Sequence, residues 1–278
     1  MALEVQMNLT QEIIMNSPSD RLDQSAGHQD HRPSGIDAKE WQVRVDLAAS
    51  YRLLHHFRMT DLIYNHISAR VPGKHDQFLI NAYGLMYHEI AASNLVVVDV
   101  DGKVLHDPTG LGINPGGFTI HSAVHMARPD VACVMHTHTA ATIAIACMRR
   151  GLLPLTQHAM RFNERIAYHD YAGVYFTDDE RRRLIESLGE RQVMVLRNHG
   201  SLVCGRSIVE AFDLMYYFER ACQAQVALLS CGEELVLPVE GVAEQVAKVF
   251  EAPDRKANAR IWPALLRMLD LSDSSYRQ

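Results

Sequence analysis

Apolar positions along the chain repeat at two spacings, and the alternation between them lays out the elements. Trp41, Val45, Ala48, Ala49 and Leu53 recur every three to four residues, which predicts a helix from Asp37, an N-cap residue, to Phe57. Period-two runs follow. Asp61 to Arg70 and Gln77 to Ile80 flank Pro72-Gly73, and Leu95 to Val98 and Lys103 to Leu105 flank Asp101-Gly102, so each pair predicts a hairpin. Helical spacing returns over Phe118 to Arg128, preceded by a Gly116-Gly117 turn, and over Ala140 to Met148. It appears again over Thr177 to Leu188, where Thr177 and Glu180 form a capping-box pair, over Ser207 to Leu229, and over Arg260 to Leu269. Leu152 to Ala159 reads as a further strand, and the charged run Asp178 to Arg183 as a solvated helix face. Met1 to Asp37, rich in Ser, Asp, Gln and His, reads as a flexible arm, leaving one domain over residues 38–278. His28 and His31, within that arm, read as solvated.

Two strands end in the same chemistry. In VACVMHTHTAAT (Val131 to Thr142), His136 and His138 close an apolar alternation with both imidazoles on one face. In VMVLRNHGSLVCG (Val193 to Gly205), Asn198, His199 and Gly200 interrupt a second apolar run. Three neutral imidazoles with an open fourth position suit a catalytic zinc, and also iron, cobalt or manganese.

Composition narrows the setting. A chain of 278 residues, 47% hydrophobic and 22% charged, buries a full core, and a net charge of -6 without a basic run argues against nucleic acid or an anionic membrane as partner. Five cysteines without a C-x-x-C pattern fit a reducing, cytoplasmic compartment, and no stretch of eighteen apolar residues predicts a membrane span.

The two histidine runs, together with DLIYNHISARVPG, FLINAYGLMYHEI, LVVVDVDGKVL, LLPLTQHAMRF and IAYHDYAGVYF, resemble the class II aldolase/adducin family from about Trp41 to Leu229. The resemblance implies an α/β fold, a three-layer α/β/α domain around a mainly antiparallel sheet. It also implies a divalent metal on His136, His138 and His199, and a homotetramer with sites at subunit interfaces. In sugar-phosphate members, loops matching Asn65 and Ala82 to Gly84 bind the substrate phosphate. This chain keeps Asn65 and Gly84 but carries Tyr83 where a Ser is typical.

The larger departure is at Gly117. Aldolase members carry Ser-Ser-Glu ending nineteen residues before the first metal histidine, and here that segment is Pro115-Gly116-Gly117. No Asp or Glu lies between Asp107 and Asp130, so the carboxylate acid/base of those enzymes, worth roughly 10² to 10⁴ in rate, is missing. His158, near the place where the family brings in a Tyr from a neighbouring subunit, is the replacement candidate, and the glycine pair leaves room for a bulkier substrate.

These residues point to a metal-dependent lyase, by retro-aldol cleavage or decarboxylation, on a small non-phosphorylated hydroxy- or keto-acid, with Asn65, Tyr83, Gly84, Gly116 and Gly117 lining the pocket; Tyr83 and the glycine pair suit an aromatic or otherwise flat acid. A non-haem iron oxygenase of the same fold and a non-catalytic adducin-head-like scaffold are the alternatives. Adducins continue into a neck and a long basic tail, whereas this sequence ends at Gln278, which leads to the expectation of an enzyme. Tyr168 to Tyr171 and Trp262 are aromatic groups that can line a site or serve packing.

Overall fold

In the computed structural model, residues 32–173, 177–251 and 258–278 are described. The expected arm therefore lies outside them up to His31, as do 174–176 of the IAYHDYAGVYF motif. Local signals set most boundaries. Helix α1 (Ala38–His56) begins where the Asp37 carboxylate accepts the N–H groups of Lys39 and Glu40. Strands β1 (His66–Arg70), β2 (Gln77–Ile80), β3 (Val96–Asp99) and β4 (Val104–His106) form the two expected hairpins.

Four strands complete the sheet: β5 (Cys133–Thr137), β6 (Ile166–His169), β7 (Val193–Leu196) and β8 (Gly200–Gly205). The order is β4-β3-β2-β1-β5-β8-β7-β6, with only β6 and β7 running parallel. On one face, helices α1, α3 (Ala140–Cys147) and α6 (Ile208–Ser230) bury Ile67, Ala69, Leu79, Cys133, Met135 and Val203. On the other, α2 (Pro115–Ala127) and α5 (Asp178–Leu188) bury Val134, Met194, Leu202 and Cys204, and Phe118 of α2 meets Phe78 and Ile80. The alternation Cys133/Val134/Met135 thus feeds both cores, giving three layers around a mainly antiparallel sheet. No helix among the described residues is long and apolar enough to cross a membrane.

Tertiary structure corrects four readings. Leu152 to Ala159 is not a strand. The Leu153 N–H is taken by Gln225 of α6, and Thr156 caps a short helix α4 (Gln157–Met160), which carries His158. Gly116-Gly117 is not a turn ahead of the helix but its first turn, because Asn114 accepts the Gly116 N–H and Pro115 takes the position that needs no donor. Glu180 is not on a solvated face. Thr177 accepts its N–H, but its carboxylate is buried against His169 Nε2 (2.8 Å) and Arg183 rather than returning to the cap. Finally, α7 (Val242–Glu251) forms in a tail where only the terminal helix, α8 (Asn258–Ser272), was expected. Trp262 of α8 is a packing residue, buried with its indole N–H on Asp46.

Candidate metal centre

Strand register and one tight turn assemble the three histidines. His136 lies in β5 opposite Leu202 of β8, and His138 follows just past the end of the strand. β7 and β8 form a hairpin whose turn, Arg197 to His199, has Asn198 in the left-handed region (φ 57°). Gly200 then passes so close to β5 that any Cβ there would run into the Thr137 carbonyl and crowd the His138 ring. That contact explains the glycine of the Asn-His-Gly run, and it brings His199 alongside the pair.

Their Nε2 atoms converge. His138 Nε2 is 2.8 Å from His136 Nε2 and 2.8 Å from His199 Nε2. The Ser201 carbonyl can only accept, so His136 Nδ1 must be the protonated nitrogen of that 2.8 Å hydrogen bond. His138 Nδ1 likewise donates to the Asp61 carboxylate at 3.2 Å. In both rings the lone pair is therefore left on Nε2, facing its neighbours. Burial, followed by the charge of His138, holds His199 neutral down to about 4, and burial with the neighbouring His138 and His199 holds His136 well below its ordinary value. Lone pairs at such distances repel unless a cation lies among them. Tetrahedral zinc at its ordinary bond length separates its ligand nitrogens by about 3.4 Å, so an outward shift of about half an ångström admits an ion. The donor set, its fixed tautomers and its carboxylate and carbonyl backing fit a divalent metal.

The family model described as the Class II Aldolase and Adducin N-terminal domain matches residues 45–226. The chain belongs to the class II aldolase/adducin family. A solved aldolase II superfamily protein from Pseudomonas syringae is 49% identical, superposes with a TM-score of 0.84, and is matched over 87% of this chain and 98% of its own. An L-fuculose 1-phosphate aldolase from Glaciozyma antarctica is 25% identical with a TM-score of 0.76, over 89% of this chain and 97% of its own. Alpha-adducin of Rattus norvegicus is 40% identical over 84% of this chain, which corresponds to 34% of the adducin. Class II aldolase/adducin membership and the fold are thereby shown together.

Around the triad the expected site residues divide. Asn65, buried and left-handed (φ 74°), has both amide atoms without a hydrogen-bond partner, and Gly117 is buried in the first turn of α2. Gly116 is exposed, with only the Asn114 side chain near its Cβ position. Tyr83 is half-buried and donates its N–H to the Gly112 carbonyl, while exposed Gly84 approaches Leu111. The expected acid/base, His158, is elsewhere within one chain. Carried by α4, it packs against α6 on the opposite face of the sheet from His136, its ring tilted at 51° to that of Tyr217 with centroids 4.9 Å apart, and burial with the charges of Arg161 and Arg220 lowers its pKa.

Three participants were not anticipated. Asp61 and Ser201 orient ligands but carry no motif. His66, the β1 residue paired in register with His136, stands beside the centre. Its signal was present in the sequence: His66, Ser68 and Arg70 alternate along β1 just as Gly117, His121 and His125 recur every fourth residue along α2. The two rows face each other, with Ser68 Oγ 2.7 Å from His121 Nδ1 and 2.8 Å from His125 Nε2. Of the aromatic cluster, Tyr171 reaches the site, its ring 5.7 Å from that of His199.

Proposed function

We propose that this class II aldolase/adducin protein is a metal-dependent carbon–carbon lyase acting on a small, non-phosphorylated hydroxy- or keto-acid. The observation that carries the reading is the convergence of three Nε2 lone pairs, two of them fixed by the Ser201 carbonyl and the Asp61 carboxylate. A divalent ion on His136, His138 and His199, zinc in the first instance, supplies positive charge against which negative charge on a substrate oxygen develops as the bond breaks. Asn65 and Tyr83 bind and orient the substrate, and Gly84 and Gly116 leave it space; contrary to the sequence expectation, the room at Gly117 goes to the His66 ring and not to substrate.

The loop beside Tyr83 supports a substrate without a phosphate. Asp107 already accepts the Thr109 hydroxyl and the N–H groups of Thr109, Gly110 and Gly112, and against the opposing effect of burial these bonds, the hydroxyl's first, hold its pKa below the ordinary carboxylate value. The turn so braced takes the Tyr83 N–H on its Gly112 carbonyl, so one backbone donor of the loop that binds phosphate in sugar-phosphate members is already committed. Gly117 offers no carboxylate, which suits decarboxylation, where no proton has to leave carbon. Exposed Leu62 and Tyr64, following Asp61, leave apolar surface beside the centre, in keeping with a homotetramer whose sites, and whose His158, meet across subunits; the cytoplasm is the location proposed from the cysteine pattern.

Metal analysis by inductively coupled plasma mass spectrometry on untagged protein tests this reading. Near-stoichiometric zinc that is lost in His136→Ala and His199→Ala is the expected result, followed by product release from a panel of hydroxy- and keto-acids. Iron in its place selects the oxygenase. Absence of metal in the wild type selects the adducin-like scaffold, the reading favoured by the 40% identity to rat alpha-adducin.

A further inference from the structure

The polar row along β1 ends at the metal centre in a side chain with no role yet. His66 is almost fully buried, and neither ring nitrogen has a hydrogen-bond partner. Buried imidazole nitrogens are rarely left bare, because each loses its water and gains nothing in return. Cross-strand pairing with His136 puts the two side chains on the same face of the sheet in adjacent strands, about 5 Å apart at Cβ. The edge of the His121 ring, 5.9 Å away at 86°, closes the inner side, and His121 is itself held by Ser68.

The other wall is Gly117. A Cβ built there would overlap Cε1 and Nδ1 of His66 and come within 2.5 Å of Cγ. A glutamate at 117 and the present His66 ring therefore exclude each other. Gly116, one residue earlier, meets no such obstruction, so the need for glycine is specific to the position that touches His66.

We propose that His66 is the substrate-facing polar group of this centre, filling the volume a carboxylate side chain at 117 would take and hydrogen-bonding an oxygen of the bound acid. This rests on the metal-centre reading above. An imidazole carries an N–H donor in any tautomer, and with no protein partner on either ring nitrogen that donor is left for a ligand. A flat carboxylic or keto acid held at the triad presents the oxygen acceptors that such a donor orients.

The test uses full-length protein loaded with cobalt(II), whose visible absorption reports both metal binding and changes at the open position, titrated with oxalate as the probe. We expect His66→Ala to bind cobalt within threefold of wild type but oxalate at least tenfold more weakly, the loss of one hydrogen bond to a charged group. His66→Gln, which restores an amide donor, should stay within about threefold. Gly117→Ala should displace the ring and reproduce the His66→Ala loss, and the double variant should be no weaker than either single one. Melting curves for each variant confirm folding, and Gly117→Ala carries the test if His66→Ala does not fold. Oxalate affinity within twofold of wild type in His66→Ala overturns the proposal, as does a His66→Gln variant as weak as His66→Ala, which assigns the loss to packing. Cobalt bound without any oxalate response in the wild type also overturns it. Failure of the wild type to bind cobalt is a distinct result: it overturns the metal centre itself, and the assignment of His66 with it.

Discussion

Replacing Tyr51 by Phe should cost stability out of proportion to the single oxygen removed. β1 and β2 pair through Ser68 and Ile80, and the next rung would join Ile67 to Asn81. Tyr51, reaching in from α1, wedges its hydroxyl into that rung instead. It accepts the N–H of Ile67 at 2.8 Å and of Asn81 at 3.2 Å, and lies 2.5 Å from the Ile67 carbonyl and 2.9 Å from Asn81 Oδ1. Both backbone polar groups of a strand residue point to the same side, so Ile67 cannot turn to β5 for another partner. Burial pushes the phenol far above its ordinary pKa, so it remains a donor throughout the accessible pH range. Tyr51→Phe leaves two buried N–H groups without acceptors, at about 1–3 kcal/mol each, for a total of roughly 2–6 kcal/mol against a domain stability of about 5–15 kcal/mol. Urea unfolding at one fixed protein concentration measures it, with the midpoint falling and the slope unchanged. Because the wedge fixes the residue after His66 and the residue before the Ala82 to Gly84 loop, cobalt–oxalate affinity should fall as well. A stability loss below about 1 kcal/mol would show that the rung closes on itself, and would refute the wedge.

Gly200→Ala should drive its Cβ into the Thr137 carbonyl, separate His199 from the other two ligands and lower metal content well below one equivalent; full occupancy would contradict the close approach. His125 is held neutral to about 3 by burial, with the Arg70 charge second, while an unfolded histidine protonates near 6.5. Its contribution is whole above pH 6.5 and is lost as pH falls toward 3, at up to about 1.4 kcal/mol per pH unit. His125→Gln should therefore flatten the acid limb of a stability–pH profile by one proton, and an unchanged slope would count against it. His169→Ala, which removes the imidazole from the buried Glu180 carboxylate and leaves Arg183 as its partner, should cost about 1–3 kcal/mol in chemical denaturation. Gly151→Ala places a Cβ on the Tyr168 hydroxyl at a left-handed backbone (φ 64°) and should lower the melting temperature by several degrees, more than an alanine at an open glycine such as Gly73.

Periodicity, turn dipeptides and caps were enough to place α1, the two N-terminal hairpins, α5 and α6, because each is encoded within a few neighbouring residues: Asp37, Thr177 and Ser207 cap their helices with their own side chains. The clustering of His136, His138 and His199 was legible for a similar reason, as two short runs in which a histidine follows an apolar strand. Where local cues competed with distant partners, the sequence misled. Leu152 to Ala159 has a strand-like composition, but Gln225, over seventy residues away, takes its donor. Glu180 sits in a charged run, yet β6 buries it against His169. Asp61 behind His138, Ser201 behind His136, and the exclusion between His66 and Gly117 depend on strand register and on the depth at which α2 packs. Those contacts join residues tens of positions apart along the chain. Local pattern carries no information about them, and only the folded sheet, by setting distances across its strands, decided which polar groups would share one site.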